Sequence, residues 1–184
     1  IGTRFDEHSK SGNEDSHRAT LAYLFDDKTT KLKSSYGTGF RFPSLYEFYY
    51  YSSSGYDGNE KAENSKSFDI GIEKSFSNLG LDIDASYFNV KYHDVLEGWE
   101  QNTGGGGSFT TQNSPGEVRT QGLELVSNWK TNDQLSFGFN YTYTSSYDGA
   151  EADNPDRNQN FTNNQMVRVP RHMFNLATKI KVPN

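Results

Sequence analysis

The residues from Ser34 to Phe48 read SSYGTGFRFPSLYEF, and the rest of the chain is organised around them. At its start, mostly apolar positions alternate with positions that are small or polar, which predicts a β-strand. Gly37 and Gly39 remove side chains where this strand leaves its sheet, and Pro43 cannot donate a ladder hydrogen bond. The stretch therefore predicts a strand that ends near Arg41 and runs into a long aromatic loop.

The composition favours an all-β protein with a polar surface. The chain has 184 residues, a net charge of -6 and 32% hydrophobic residues. Its 12 Tyr, 13 Phe and 17 Gly favour strands over helices and argue against disorder. No run of about 18 apolar residues is present, which excludes a transmembrane helix but leaves a membrane barrel open. The negative charge, without a basic stripe, argues against a nucleic-acid partner.

Eight segments with strand-like alternation follow one another, and no convincing helix interrupts them. We expect a polar connection over Ser9–Asp15, and a change of phase near Phe88 predicts a β-bulge. The predicted strands are Ile1–Glu7, Ala19–Phe25, Thr30–Phe40, Phe68–Phe76, Leu81 toward Glu97, Val118–Lys130, Leu135–Thr144 and about Val167–Val182.

The connections between these segments alternate in length. Short turns follow Phe25, Phe76 and Trp129, whereas long loops follow Phe40, Glu97 and Tyr143, and the loop after Glu97 contains glycines 104–107. Outer-membrane barrels have short periplasmic turns and long extracellular loops. The short turns also predict two registers, with Phe76 opposite Leu81 and Trp129 opposite Leu135.

Alternation by itself also fits a soluble sandwich or small barrel whose apolar side faces inward. Strands of around ten residues and aromatic residues near strand ends favour a membrane barrel instead. The opposite faces carry ionic residues that need a wet interior, namely Lys33, Asp69, Glu73, Asp82, Asp84, Glu124 and Lys179.

The stretch SSYGTGFRFPSLYEF resembles the strand-to-loop segment of TonB-dependent outer-membrane receptor barrels. The opening GTRFDEHSKSGNEDSHRATLAYLF is similar to the paired strands before that segment, and TQGLELVSNWK is similar to the family's recurring GxE strand. Within the family, the opening segment and the compact strands most resemble the vitamin B12 receptor branch.

This resemblance implies an antiparallel up-and-down transmembrane β-barrel of roughly 22 strands in the Gram-negative outer membrane. Residues 1–184 are then a partial barrel domain of about eight consecutive strands, without the plug domain, the signal peptide and the remaining strands. The implied function is active uptake of a scarce metal chelate, cobalamin or a ferric siderophore, and not an enzymatic reaction. The implied partners are outer-membrane lipid, the chelate, the receptor's own plug and the TonB complex.

The aromatic loop supplies the candidate substrate-binding residues. Their rings are suited to stacking on a flat ligand, or alternatively to bracing the rim of the barrel. The arginine is suited to an anionic group of the substrate or to a plug carboxylate. The candidates are Arg41, Phe42, Tyr46, Phe48, Tyr49, Tyr50, Tyr51 and Tyr56.

Other site chemistry has weaker support in the sequence. Asp148, Glu151, Asp153 and Asp156 offer oxygen ligands for Ca²⁺, but they lack EF-hand order, and the alternative is an exposed acidic loop. The four His are scattered, no nucleophile motif is present, and no cofactor is indicated. The alternative function is a passive or adhesive β-barrel or sandwich that binds partners through its long loops.

Overall fold

The computed structural model describes residues 1–9, 11–45, 47, 60–101, 108–114, 116–149, 166 and 168–182, without the side chains of 97–101, 108–112 and 148. The described strands are β1 Gly2–His8, β2 Gly12–Leu24, β3 Thr30–Arg41, β4 Glu63–Phe76, β5 Leu81–His93, β6 Leu96–Gln101, β7 Ser108–Asn113, β8 Val118–Lys130, β9 Leu135–Asp148 and β10 His172–Ile180.

Eight of these strands form one antiparallel sheet in the order β1-β2-β3-β4-β5-β8-β9-β10, and β6 and β7 form a separate two-stranded hairpin. Each strand of the large sheet pairs with the one that precedes or follows it along the chain, apart from the step from β5 to β8. The all-β fold predicted from the alternation, and the antiparallel up-and-down architecture implied by the resemblance, are confirmed.

The register gathers the large apolar side chains on one side of the sheet. Leu32 lies opposite Ile72, Ile72 opposite Ala85, and Ala85 opposite Leu125. Directly opposed residues share a face, so this row crosses four strands without interruption. We call this side the apolar face; its other members include Leu21, Tyr23, Tyr36, Phe68, Ile70, Leu81, Tyr87, Leu123, Trp129, Phe137, Phe139, Tyr141, Tyr143, Phe174, Leu176 and Ile180.

The apolar face is left uncovered by the described residues. Leu21 is 67% exposed, Leu123 54% and Phe174 76%, whereas the buried hydrophobic residues in the described ranges are Ala62 and Val118. Each square ångström of apolar surface kept from water is worth roughly 25 cal/mol, so a face of this size needs an apolar neighbour. No helix in the described ranges is long and apolar enough to cross a membrane.

The other side, which we call the polar face, carries cross-strand ion pairs. Lys33 Nζ lies 3.0 Å from Glu73 Oε1 and 2.6 Å from Asp84 Oδ2, and Lys31 Nζ lies 2.9 Å from Glu73 Oε2. The hydroxyl of Ser35 donates to Asp69. The predicted ionic face is therefore present on β3, β4 and β5.

Asp27 closes the short turn between β2 and β3. Its Oδ1 accepts the backbone N–H groups of Thr29 and Thr30, both at 2.9 Å, and its Oδ2 lies 2.7 Å from Lys74 Nζ. The hydrogen bond from Lys74, followed by those from Thr30 and Thr29, holds the pKa of Asp27 well below its usual range. The turn is thereby tied to β4, two strands away from β2.

Several predicted strand boundaries change at the end of the sheet where the long connections leave. β2 begins at Gly12, inside the predicted polar connection Ser9–Asp15, because Gly12 adopts a φ of 84° that closes a tight hairpin with β1. β4 begins at Glu63, β9 runs to Asp148, and β10 begins only at His172. Polar residues extend the first three ladders because the backbone hydrogen bonds do not depend on side-chain polarity.

The prediction that the fifth strand runs on toward Glu97 is wrong. β5 ends at His93, since Asp94 has a φ of 54° and turns the chain away from the sheet. The N–H of Ser114 donates to the carbonyl of Val95 at 2.7 Å, which closes the base of the β6–β7 hairpin. Glycines 104–107 lie outside the described residues.

The β-bulge predicted near Phe88 is also wrong. β5 pairs without interruption with β4, from His93 to Leu81, and with β8, from Tyr92 to Leu81. Phe88 instead takes a place on the polar face beside Gly122, where an added Cβ would lie 2.7 Å from the ring. The ring of Phe88 is therefore accommodated by the absence of a side chain at Gly122 on the neighbouring strand, and not by an extra residue in β5.

One of the two predicted registers is confirmed, and the other is shifted. Phe76 lies opposite Leu81 as predicted, but Trp129 lies opposite Phe137 and not Leu135. Asn132 Oδ1 accepts the N–H of Leu135 at 2.9 Å, which holds Leu135 next to the turn and not opposite Trp129. The shift is two residues, and it therefore leaves every side chain on its predicted face.

Candidate functional site

β3 ends at Arg41, at the edge of the sheet from which the long connections leave; we call this edge the long-loop rim. The Nε and Nη2 of Arg41 lie 2.6 and 2.9 Å from the carboxylate oxygens of Glu63, its partner in register on β4. Nη1 and Nη2 each lie 3.0 Å from the oxygens of Glu47. Both pairs are bidentate, the geometry in which a guanidinium binds carboxylates most strongly.

Glu47 is held by a capping box as well as by Arg41. The N–H of Ser44 donates to Glu47 Oε2 at 2.6 Å, and the N–H of Glu47 donates to Ser44 Oγ at 3.3 Å. Leu45 and Glu47 are helical. Partial burial raises the pKa of Glu47, but the hydrogen bonds from Arg41 and Ser44 outweigh it and lower the pKa to about 2.

Glu63 also anchors the β6–β7 hairpin. Its Oε1 accepts the N–H of Leu96 at 2.8 Å, at the first residue of β6. At the end of β7, Asn113 exchanges hydrogen bonds with the backbone of Lys61, at 2.7 and 3.0 Å. Ala62, which separates Lys61 from Glu63 in the chain, is fully buried. The start of the aromatic loop, its end and the hairpin are therefore connected through Arg41 and Glu63.

Phe42 packs at the rim between two other rings. Its centroid lies 4.9 Å from that of His8 in a stacked arrangement and 5.2 Å from that of Phe40. Pro43 beside it is buried. Phe42 therefore joins β1 to the end of β3 and is half-buried by these contacts.

Two of the predicted substrate-binding residues, Arg41 and Phe42, lie at this rim. The role of the other six stays a prediction, because they lie outside the described residues: Tyr46, Phe48, Tyr49, Tyr50, Tyr51 and Tyr56. Of the Ca²⁺ candidates, Glu151, Asp153 and Asp156 also lie outside, and Asp148 is described only as part of β9. Within the described ranges, no group of three His, Cys, Asp or Glu is placed to hold a metal ion.

Glu47 and Glu63, the two residues that organise the rim, were not among the site residues predicted from the sequence. Glu47 had a local signal, because Ser44 and Glu47 have the spacing of a capping box. Glu63 had none, since its pairing with Arg41 follows from a register across the whole aromatic loop.

Comparisons with known proteins agree on the fold. A family model described as "TonB dependent receptor-like, beta-barrel" matches residues 1–180. No curated protein matches the chain.

Three solved structures illustrate the likeness. The ferric enterobactin receptor PfeA from Pseudomonas aeruginosa, in complex with enterobactin, has a TM-score of 0.75 and 21% identity, and covers 99% of this chain and 28% of its own. The siderophore receptor PirA from Acinetobacter baumannii has a TM-score of 0.72, 19% identity and coverages of 99% and 28%. The copper transporter OprC has a TM-score of 0.69, 16% identity and coverages of 93% and 25%. The chain thus spans about a quarter of these proteins, and at such identities the likeness shows the fold.

Proposed function

Because the chain belongs to the TonB-dependent receptor-like β-barrel family, we propose that it is part of an outer-membrane receptor that imports a scarce metal chelate. The observation that carries this proposal is the family match over residues 1–180, on a meander of eight antiparallel strands. Eight strands amount to about a third of a barrel of roughly 22. The plug and the TonB complex, which would supply energy, are proposed partners.

The two faces of the sheet support placement in a bilayer. The exposed apolar face is suited to outer-membrane lipid, and the polar face, with Lys31, Lys33, Glu73 and Asp84 in ion pairs, is suited to a water-filled chamber occupied by a plug. In this orientation the turn at Asp27 faces the periplasm, and the long-loop rim at Arg41 faces the outside.

For the substrate we propose a ferric siderophore. The names of the similar solved structures support this choice, since they include siderophore and ferric enterobactin receptors. Cobalamin, implied by the likeness to the vitamin B12 receptor branch, is the competing substrate. Both are bulky, ring-containing metal chelates, and a binding measurement with each separates them.

The proposed binding surface is the aromatic loop after Arg41. The sequence places six aromatic residues between Phe42 and Lys61, and both ends of this segment are fixed in the rim by Arg41, Glu47 and Glu63. Anchored ends lower the entropy lost when a loop closes on a ligand. Since two carboxylates already occupy Arg41, its proposed role is to position the loop, with the rings contacting the chelate.

Replacing Tyr49, Tyr50 and Tyr51 with Ala in the full-length receptor tests this function. We expect affinity for a ferric catecholate siderophore to fall roughly ten- to a thousand-fold, because each lost aromatic contact is worth on the order of 0.5–1.5 kcal/mol. The melting temperature should change little. Binding is measured by titration with the siderophore and, separately, with cyanocobalamin.

A matched control replaces three tyrosines of the apolar face, Tyr23, Tyr36 and Tyr143, with Ala. This variant should lose melting temperature and keep its affinity. A triple variant of Tyr49, Tyr50 and Tyr51 that melts lower but binds normally would assign the loop rings to bracing the rim. If the receptor binds cyanocobalamin but not the siderophore, the substrate is cobalamin and not a ferric siderophore.

A further inference from the structure

The apolar face ends, toward the long-loop rim, in a row of three cations. Lys66 on β4 lies directly opposite Lys91 on β5, and Lys91 lies directly opposite Arg119 on β8. Like charges in such positions repel each other. Glu117 neutralises part of the row, since its Oε2 lies 3.0 Å from Lys91 Nζ. Lys66 and Arg119 form no ion pair with any residue in the described ranges, and the guanidinium of Arg119 donates to the neutral side-chain amide of Asn89 at 3.0 Å, so both charges remain uncompensated.

A zone of neutral polar groups follows this row toward the middle of the sheet. The hydroxyl of Tyr87 lies 3.2 Å from Gln121 Oε1, and the side-chain amide of Asn89 lies 3.0 Å from the same oxygen. Tyr87, Asn89 and Lys91 are alternate residues of β5, so they project from the same face.

A hollow in the apolar face comes next along the same strands. It has a volume of about 560 Å³ and is lined by Leu32, Ile70, Ile72, Ala85, Leu123 and Leu125, among others. Ala85 is one of the residues that line it, and it is the small residue between Ile72 and Leu125 in the register. Lys91 is six residues further along β5, roughly 20 Å from Ala85.

Cations, neutral hydrogen-bonding groups and an apolar hollow thus succeed one another on one face of β4, β5 and β8. The same order occurs along a lipid, from phosphate through ester groups to acyl chain. We propose that this face binds a phosphate-bearing lipid of the outer leaflet, with its phosphate on Lys66, Lys91 and Arg119 and one acyl chain over Ala85. This proposal rests on the proposed function, which puts the long-loop rim on the outer side of the membrane.

Charge and shape both favour a lipid over other occupants. Free phosphate would use the three cations but not the hollow, which lies too far from them. A zwitterionic lipid would fill the hollow but would bring its own cation to the row. An anionic lipid relieves the repulsion within Lys66, Lys91 and Arg119 and covers the hollow at the same time.

Native mass spectrometry of the full-length receptor in a non-ionic detergent tests the site. The probes are dilauroyl phosphatidic acid and dilauroyl phosphatidylcholine, which have the same chains. We expect the first to bind about tenfold tighter or more, since each Lys or Arg contributes appreciably to binding an anionic lipid surface. The variant K66Q/K91Q/R119Q should lose this preference, and A85F should weaken binding of both lipids.

Two control variants match these changes. K28Q/K179Q/K181Q removes the same charge from the opposite end of the sheet, and A19F adds the same ring to the apolar face outside the hollow. Both should bind phosphatidic acid as the wild type does. Excess inorganic phosphate should leave the lipid bound.

Equal affinity for the two lipids, an unchanged preference in K66Q/K91Q/R119Q, or displacement by inorganic phosphate would each overturn the site. Siderophore binding, measured on the same samples, separates this proposal from the proposed function. If the receptor binds the chelate but shows no lipid preference, only the proposed lipid site is contradicted. If it shows lipid preference but does not bind the chelate, only the proposed function is contradicted.

Discussion

Arg41 illustrates how a single residue can have another role than its charge suggests. An arginine at the start of a long loop is suited to an anionic substrate or to a plug carboxylate. In the structure, Glu47 and Glu63 bind its guanidinium from both sides. An Arg held in this way fixes the direction in which the loop leaves β3.

Glu47 gives the rim a defined pH dependence. Its pKa falls from 4.5 to about 2 in the folded state, so the stabilisation it contributes is complete above 4.5 and is lost as the pH falls through about 2. We expect the Ser44 amide, which donates to Glu47, to lose protection from hydrogen exchange in that window, after correction for intrinsic rates.

The variant Glu47→Gln should remove this pH dependence. It should also lower protection of the Ser44 amide roughly three- to tenfold at neutral pH, because a charge-assisted hydrogen bond becomes a neutral one. The control Glu7→Gln changes an exposed carboxylate on β1 and should behave as the wild type. If the acid transition persists in Glu47→Gln, a group other than Glu47 causes it.

The close contact between strands β5, β8 and β9 depends on Gly122. An added Cβ would lie 2.0 Å from the carbonyl oxygen of Tyr143 and 2.7 Å from the ring of Phe88. We expect Gly122→Ala to destabilise the barrel by about 1–3 kcal/mol, the usual cost of overpacking, and to lower its melting temperature.

Gly138→Ala is the matched control for this prediction. It lies on β9, on the same polar face, and its added Cβ would make ordinary contacts at 3.6 Å with Asn128 and 3.8 Å with Ala177. Thermal melts of both variants of the full-length receptor in detergent decide the question. Equal melting temperatures would mean that the sheet opens to accept a side chain at Gly122.

β1 and β10 are the two edges of the eight-stranded sheet. Unpaired edge strands favour association in water, and unsatisfied backbone groups are not tolerated in lipid. The uncovered apolar face adds to the tendency to associate in water. Residues 1–184 expressed alone should therefore associate or require detergent, whereas the receptor with all its strands should close its sheet.

Size-exclusion chromatography with light scattering, followed by a denaturant titration without detergent, measures this dependence. The full-length receptor refolded in detergent is the control and should be monodisperse. A soluble monomer of residues 1–184 that unfolds cooperatively without detergent would contradict the expectation.

Local sequence was sufficient to predict the eight strands of the large sheet, apart from some of their ends, together with its short turns and its two faces. A period of two depends only on neighbouring residues, so the segment from Leu135 to Thr144 identifies its own apolar side wherever its partner lies. The turn residues from Phe25 to Thr30 are equally local. Even the wrong register for Trp129 left the faces correct, because the error was an even number of residues.

Which side chains of remote segments meet is visible only in the three-dimensional structure. Arg41 joins Glu63 across the aromatic loop, Phe88 covers Gly122, and Lys91 lies opposite Arg119. Each of these contacts depends on the register between strands that long connections separate. Local sequence does not specify that register when the connection is long, because a short turn fixes the offset between its two strands, whereas a long loop accommodates many offsets at nearly equal entropy.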